Sequence, residues 1–381
     1  MQLSIIILNY NVRYFLELCV LSVKNAVQNL DAEIIVIDNN SQDDSCEMMK
    51  NRFPNIKLIE NKENVGFPKG NNIGVSQAKG EYICILNPDT VVAEDTFIKV
   101  LAFAKKQNDL GIIGCKLIDG TGNFLPESKR GTPTPFVAFT KITGLYKLFP
   151  KTFGQYYAQH LSENETGKVE ILVGAFMLMK RNLYNEIGGF DENCFMYSDD
   201  IDLSYTALKT GKSNYYFHDT SVIHYKGEST VKDGIYMKRN QEAMNFFFKK
   251  HFRVSFFFTL FMKIGIVFFS IVKLFQLKPI PKSSPVNYIL LSDNEILRAQ
   301  LENHLGKKVE IQNVLSFSAR LSTEIIYDQN HLDFKTIIQS LENNKNKGFT
   351  FKIIPKSSRF MLGSNSSFDR GEIIPISDSR M

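Results

Sequence analysis

Short apolar runs broken by polar clusters recur through the first part of the chain. The first run, residues 4–8, is followed at once by Asn9-Tyr10-Asn11. Apolar positions then return with helical spacing at Phe15, Leu18, Cys19, Ser22 and Ala26, which predicts a helix over 13–29. A second run, 33–37, ends in Asp38-Asn39-Asn40-Ser41. A helix over 44–53, a strand over 56–60, a helix opening near Lys69 and a strand over 82–86 continue the series. Strands alternating with helices predict an open, largely parallel α/β sheet. In such a sheet the carboxyl ends of the strands share one edge, where ligands bind. Two of those ends are unusually polar, IDNNSQDDS and LNPDT. Each cluster alone reads equally well as turn chemistry. Two on one edge predict a site.

Residues 121–168 are rich in Gly, Pro, Lys and aromatics. They read as an excursion from the sheet, either a lid or acceptor wall or a plain surface insertion. A strand is predicted over 169–179, with Gly174 inside it for close backbone approach. The segment GGFDENCFMYSDDIDL, 188–203, then places Asp199, Asp200 and Asp202 after Phe195, Met196 and Tyr197. A helix start accommodates acids through its dipole. Carboxylates clustered beside apolar bulk also raise one another's pKa, as base chemistry requires.

The run 254–272 carries one charge, Lys263, and is long enough to span a bilayer. Lys249, Arg253 and Lys263 fall on one side of a helical wheel. That pattern favours a helix lying in the interface against anionic headgroups, with a single span as the alternative. After Pro279 and Pro281, residues 286–381 read as a small separate α/β unit whose GSNSS either cradles an anion or forms a Ser/Asn turn.

The chain, at 381 residues, predicts more than one domain. The expected boundaries are 1–248, a hydrophobic and basic segment 249–282, and 283–381. A net charge of +5 is too mild to indicate a nucleic-acid partner. The five cysteines form no CxxC pair, which predicts reduced thiols in a cytosolic compartment. A strand beginning at Leu3 leaves no room for a signal peptide. Gly66, Gly70 and Gly74 fit neither GxGxxG nor GxxxxGK[ST], which argues against a Rossmann dehydrogenase or a P-loop kinase.

The ordered set SIIILNYN, IVIDNNSQDDS, GFPKGNNIG, ILNPDT, VGAFMLMKR, GGFDENCFMYSDDIDL and HYKGEST resembles the inverting family-2 glycosyltransferases of GT-A fold. Within that family the resemblance is to the rhamnosyltransferase-like enzymes of bacterial surface-polysaccharide assembly, over roughly residues 1–230. It implies a Rossmann-like, mostly parallel open sheet flanked by helices. It also implies transfer of a sugar, rhamnose by subgroup, from a nucleotide-diphosphate donor to a lipid-linked glycan acceptor. The work would be done in the cytoplasm, at the inner face of the plasma membrane.

By the same resemblance Asp38 recognises the nucleotide base, and Asn9, Tyr10, Asn11, Asn40 and Asn71 line the nucleotide-sugar pocket. The DxD element falls on Asn87-Pro88-Asp89, so Asn87 and Asp89 face the diphosphate and Asp89 holds Mg²⁺ or Mn²⁺. The acid pair falls on Asp199-Asp200, with Asp200 as the base. His224 either completes the metal shell or is a structural hydrogen-bonder. The chain departs from the family at three places: Asn87 replaces an acid, Asp199 a glutamate and Thr206 an arginine. The first and last motivate an alternative, a non-catalytic nucleotide-binding scaffold subunit. A nucleotidyltransferase ranks below both, because the phosphate-binding loop it needs near the N-terminus is missing.

Overall fold

The structure, a computed structural model, describes residues 1–134, 137, 157–194, 197–226, 234–252, 285–314, 322–364 and 371–376. Strand β1 (Leu3–Asn9) is buried along its whole length, as a central parallel strand covered on both faces must be. It pairs in parallel with β2 (Ala32–Asp38) on one side and β4 (Tyr82–Leu86) on the other, with Asn9 opposite Asp38. β3 (Lys57–Glu60) extends the sheet in parallel beyond β2. Beyond β4 the sheet turns mixed. Antiparallel β8 (Phe176–Lys180) lies between β4 and β6 (Leu110–Ile118), and β9 (Ser213–His224) runs parallel to β6. The described order is β3-β2-β1-β4-β8-β6-β9-β5, with β5 at Thr90–Val91 and β7 (Gly167–Val169) also on β9. The carboxyl ends of β1, β2 and β4 share one edge.

Helix α1 (Arg13–Ala26) buries Leu16, Cys19, Val20 and Val23 against this sheet. Helix α2 (Ser45–Arg52) follows β2. Helix α3 (Phe67–Ser76) explains the glycines spaced by four. A Cβ on Gly70 would lie 2.5 Å from Leu8 Cδ1, and one on Gly74 2.5 Å from Ile37 Cδ1. These two glycines let the helix backbone press onto β1 and β2. Helix α4 (Thr96–Ala104) comes before β6, and a single 3₁₀ turn, Pro126–Ser128, after it.

The strand expected over 169–179 is two strands with an irregular link. Ile171 exchanges both backbone hydrogen bonds with Arg130, and the Gly174 N–H goes to Asp200, so this backbone leaves the ladder. Ile171 and Leu172 are nonetheless fully buried, so hydropathy alone does not mark the break. A Cβ on Gly174 would meet Asp200 Cβ at an ordinary 3.5 Å, so crowding does not demand glycine there. Helices α5 (Arg181–Glu186), α6 (Asp199–Lys209) and α7 (Gly234–His251) complete this half.

The C-terminal part has its own sheet, ordered β11-β10-β12-β13-β14-β15. Strands β10 (Asn287–Leu291), β11 (Val309–Gln312), β12 (Thr323–Asp328) and β13 (Phe349–Ile354) are parallel. Strands β14 (Phe360–Gly363) and β15 (Glu372–Pro375) are antiparallel. Helices α8 (Glu295–Leu305) and α9 (Phe334–Asn344) are capped by the side chains of Asn294 and Asp333. This unit is less separate than the sequence suggests. Val12, Phe15, Leu18 and Ile223 share one apolar cluster with Ile289, Tyr327, Phe334 and Phe351. The Glu94 carboxylate accepts the Phe334 and Lys335 N–H groups at 2.9 Å each, capping α9 from across the interface.

None of the five cysteines takes part in a disulfide. Among the described residues no helix is long and apolar enough to cross a membrane. The apolar run 254–272, Phe195, Met196 and most of GSNSS lie outside the described residues.

Candidate active site

At the end of β1 and β2, Asn9 Nδ2 donates to Asp38 Oδ1 and the Ser41 N–H to Asp38 Oδ2, each at 2.8 Å. Asn11 and Asn40 adopt left-handed backbone with φ of 56° and 65°, a conformation that Asn tolerates better than most residues. Asn11 Oδ1 accepts the Gln42 N–H at 2.6 Å, so the two strand-end loops are stitched together. Tyr10 is half-buried beside them. Asn39, which the sequence reading passed over, is 2% exposed and bonds Asn64, Asn61 and the Val65 N–H, fixing the approach to α3. Asn71 is fully buried in α3. Its amide donates to the Phe67 carbonyl, and its Oδ1 has no hydrogen-bond partner.

At the end of β4 the Asn87 N–H bonds the Ala175 carbonyl at 3.1 Å, and the Tyr225 N–H bonds the Asp89 carbonyl at 3.0 Å. Strand β5 pairs with the end of β9, setting Thr90 opposite His224. His224 Nε2 is then 3.4 Å from Asp89 Oδ1 and 3.4 Å from Asn87 Nδ2, both long for strong hydrogen bonds. Asn87 Oδ1, Asp89 Oδ1 and His224 Nδ1 are all buried without hydrogen-bond partners. Buried polar atoms left in this state are costly and call for a ligand. A carboxylate, an amide oxygen and an imidazole are donors that a divalent cation accepts. Among the described residues no group of three or more His, Cys, Asp or Glu surrounds a metal position. A cation here would take Asp89 and His224, with Asn87 and ligand oxygens completing its shell. The residues fit the ion that the DxD position implies.

The acid pair opens α6. Arg130 Nη2 donates to Asp200 Oδ2 at 2.6 Å, and the Gly174 N–H reaches the same oxygen at 3.1 Å. Burial, then the neighbouring Asp200 charge, pushes the Asp199 carboxyl up to about 7. Asp202 turns elsewhere: Lys250 bonds it at 2.8 Å and His251 at 2.6 Å, so it ties α6 to α7. Gly174 and Ala175 are adjacent, so one short segment holds both Asp200 and Asn87. Arg130 is a site residue that the sequence did not single out. It stands in the Gly- and Pro-rich excursion, and only tertiary placement brings it to Asp200.

Residues 4–188 match the family model of Glycosyl transferase family 2. This segment, just under half of the chain, is a family-2 glycosyltransferase segment. It is accordingly a nucleotide-sugar glycosyltransferase by family. The chain is 26% identical over 212 residues to an N-acetylglucosaminyl-diphospho-decaprenol L-rhamnosyltransferase of Mycobacterium tuberculosis, covering 52% of this chain and 68% of that one. It is also 26% identical over 214 residues to a low-salt glycan biosynthesis hexosyltransferase of Haloferax volcanii, covering 55% of this chain and 62% of the relative. A solved mannosyltransferase from Pyrobaculum calidifontis, in complex with GDP-Man and Mn²⁺, is 18% identical with a TM-score of 0.45, covering 64% of this chain and 61% of its own.

Proposed function

We propose that this glycosyltransferase inverts the anomeric centre of its donor, with Asp200 as the base that takes the acceptor hydroxyl proton. One observation carries the reading: Gly174 and Ala175 hold Asp200 and the Asn87–Asp89 cluster on neighbouring backbone groups. A base must lie within hydrogen-bond reach of the attacking hydroxyl while the leaving diphosphate sits beside it. Arg130 and Gly174 fix Asp200 through Oδ2, and Oδ1 is the oxygen assigned to the proton. Asp38, held by Asn9 and Ser41, keeps carboxylate lone pairs for the nucleotide base, and Asn11, Asn40 and Asn71 shape the pocket around it. A divalent cation bound at Asp89, His224 and Asn87 would supply positive charge to the diphosphate. Catalysis belongs to residues 1–248 in this reading, with 249–282 as a membrane-associated segment.

Rhamnose as the sugar and a lipid-linked glycan as the acceptor are the finer parts of the proposal. Both draw support from the mycobacterial relative, whose name specifies a decaprenol-diphosphate acceptor and L-rhamnose. A lipid-linked acceptor would put the work at the inner face of the plasma membrane. The test is Asp200→Asn: transfer falls by about 10²–10⁴-fold while nucleotide binding is kept. Turnover near wild type would remove Asp200 from the role of base.

A further inference from the structure

The ion pair beside the Asp89–His224 cluster has no part in the assignments above. Lys226 stands two residues past His224, and its Nζ is paired with the Glu127 carboxylate on the 3₁₀ turn after β6. Its backbone is left-handed, with φ of 63°, although it is neither Gly nor Asn. Such strain persists where surrounding structure imposes it and concentrates at functional sites. Glu127 is the more buried partner, with 19% of its side chain exposed against 41% for Lys226. Tyr225, between His224 and Lys226 in the chain, donates its N–H to the Asp89 carbonyl at 3.0 Å, which sets Lys226 next to the backbone of the candidate cation site.

We propose that Lys226 is a ligand of the donor's diphosphate, held by Glu127 until donor binds. This role for Lys226 rests on the glycosyltransferase function proposed above. Asn87 stands where the resemblance expects a second acid, so the site has less negative charge with which to hold a cation. An ammonium two residues past His224, 41% exposed, offers direct compensation for charge on the leaving diphosphate. Glu127 keeps that ammonium aimed at the site while no phosphate is present. The exchange moves an ion-pair partner and makes or breaks no covalent bond.

The experiment is calorimetric titration of UDP and dTDP, and of UMP and dTMP, each with Mn²⁺, into wild type, Lys226→Met and Glu127→Gln. Thermal melts establish that each variant is folded. The expected result is roughly tenfold or greater weakening of diphosphate binding in Lys226→Met with monophosphate binding unchanged. In Glu127→Gln diphosphate binding is retained or tightened. Wild-type diphosphate affinity in Lys226→Met would overturn the role of Lys226 and leave the glycosyltransferase reading standing. Equal weakening for monophosphates would also overturn it, because the contact would not be with the second phosphate. Failure of the wild type to bind any of the four nucleotides would overturn both.

Discussion

Asp199 and Asp200 are neighbours with opposite surroundings. Asp200 has a guanidinium and a backbone N–H, whereas Asp199 has burial and a like charge beside it. The Asp199 carboxyl is raised to about 7, so the folded state favours its protonated form. The resulting cost is absent below the unfolded value near ~4, grows as pH rises, and is complete above 7. Asp199→Asn is therefore expected to stabilise the protein at pH 8 by an amount on the order of 2–4 kcal/mol, and much less at pH 4.5. Urea denaturation at the two pH values measures this, and an effect independent of pH would contradict the raised carboxyl. Arg130→Met leaves Asp200 without its cation, at an expected cost of about 3–5 kcal/mol together with most of the transfer activity. The acid pair, Asp38 and Asp89 are legible in the sequence because polar residues crowd the ends of apolar runs. Arg130, Glu127 and Lys226 are not, because what each does depends on which distant residue the fold sets beside it.

At the level of elements, the alternating runs of the first half become β1, β2, β3 and β4 because fully buried parallel strands are uninterrupted apolar sequence. The same logic misreads residues 170–175, where a buried irregular link has the composition of a strand and spends its N–H groups on Asp200 and Arg130. The glycines of α3 teach a related lesson. Their spacing matches no phosphate-binding loop, and its cause is helix-on-sheet contact. Gly74→Ala would push a methyl to 2.5 Å from Ile37 Cδ1 and 2.6 Å from Ile6 Cγ2. Both neighbours are stiff β-branched core residues, so the expected destabilisation is about 1–3 kcal/mol. Gly174→Ala, with only ordinary contacts, is expected to shift the melting temperature far less. Comparable losses from the two substitutions would contradict this distinction.

The whole molecule is held together by a core that crosses from one sheet to the other. Phe15 and Leu18 on α1 pack in the cluster that also contains Phe334 and Ile337 of α9. The buried Glu17 carboxylate pairs with Arg13 and Arg52 and accepts the Ser358 hydroxyl at 2.7 Å. Arg13 in turn bonds Asp43 and Asp44 in the loop after β2, so the C-terminal unit braces the loop that carries Asp38. Composition and the prolines before residue 286 mark a second unit, yet they carry no sign of this docking, since a shared core and two separate ones need the same apolar residues. The strand-end edge of the first sheet is the proposed donor site. The most direct test is calorimetric titration of UDP and dTDP into wild type and Asp89→Asn, with Mn²⁺ and with EDTA. One nucleotide is expected to bind with Mn²⁺, to bind markedly more weakly with EDTA, and to lose its metal dependence in Asp89→Asn. Binding by the wild type that is indifferent to EDTA, or no binding of either nucleotide, would contradict it.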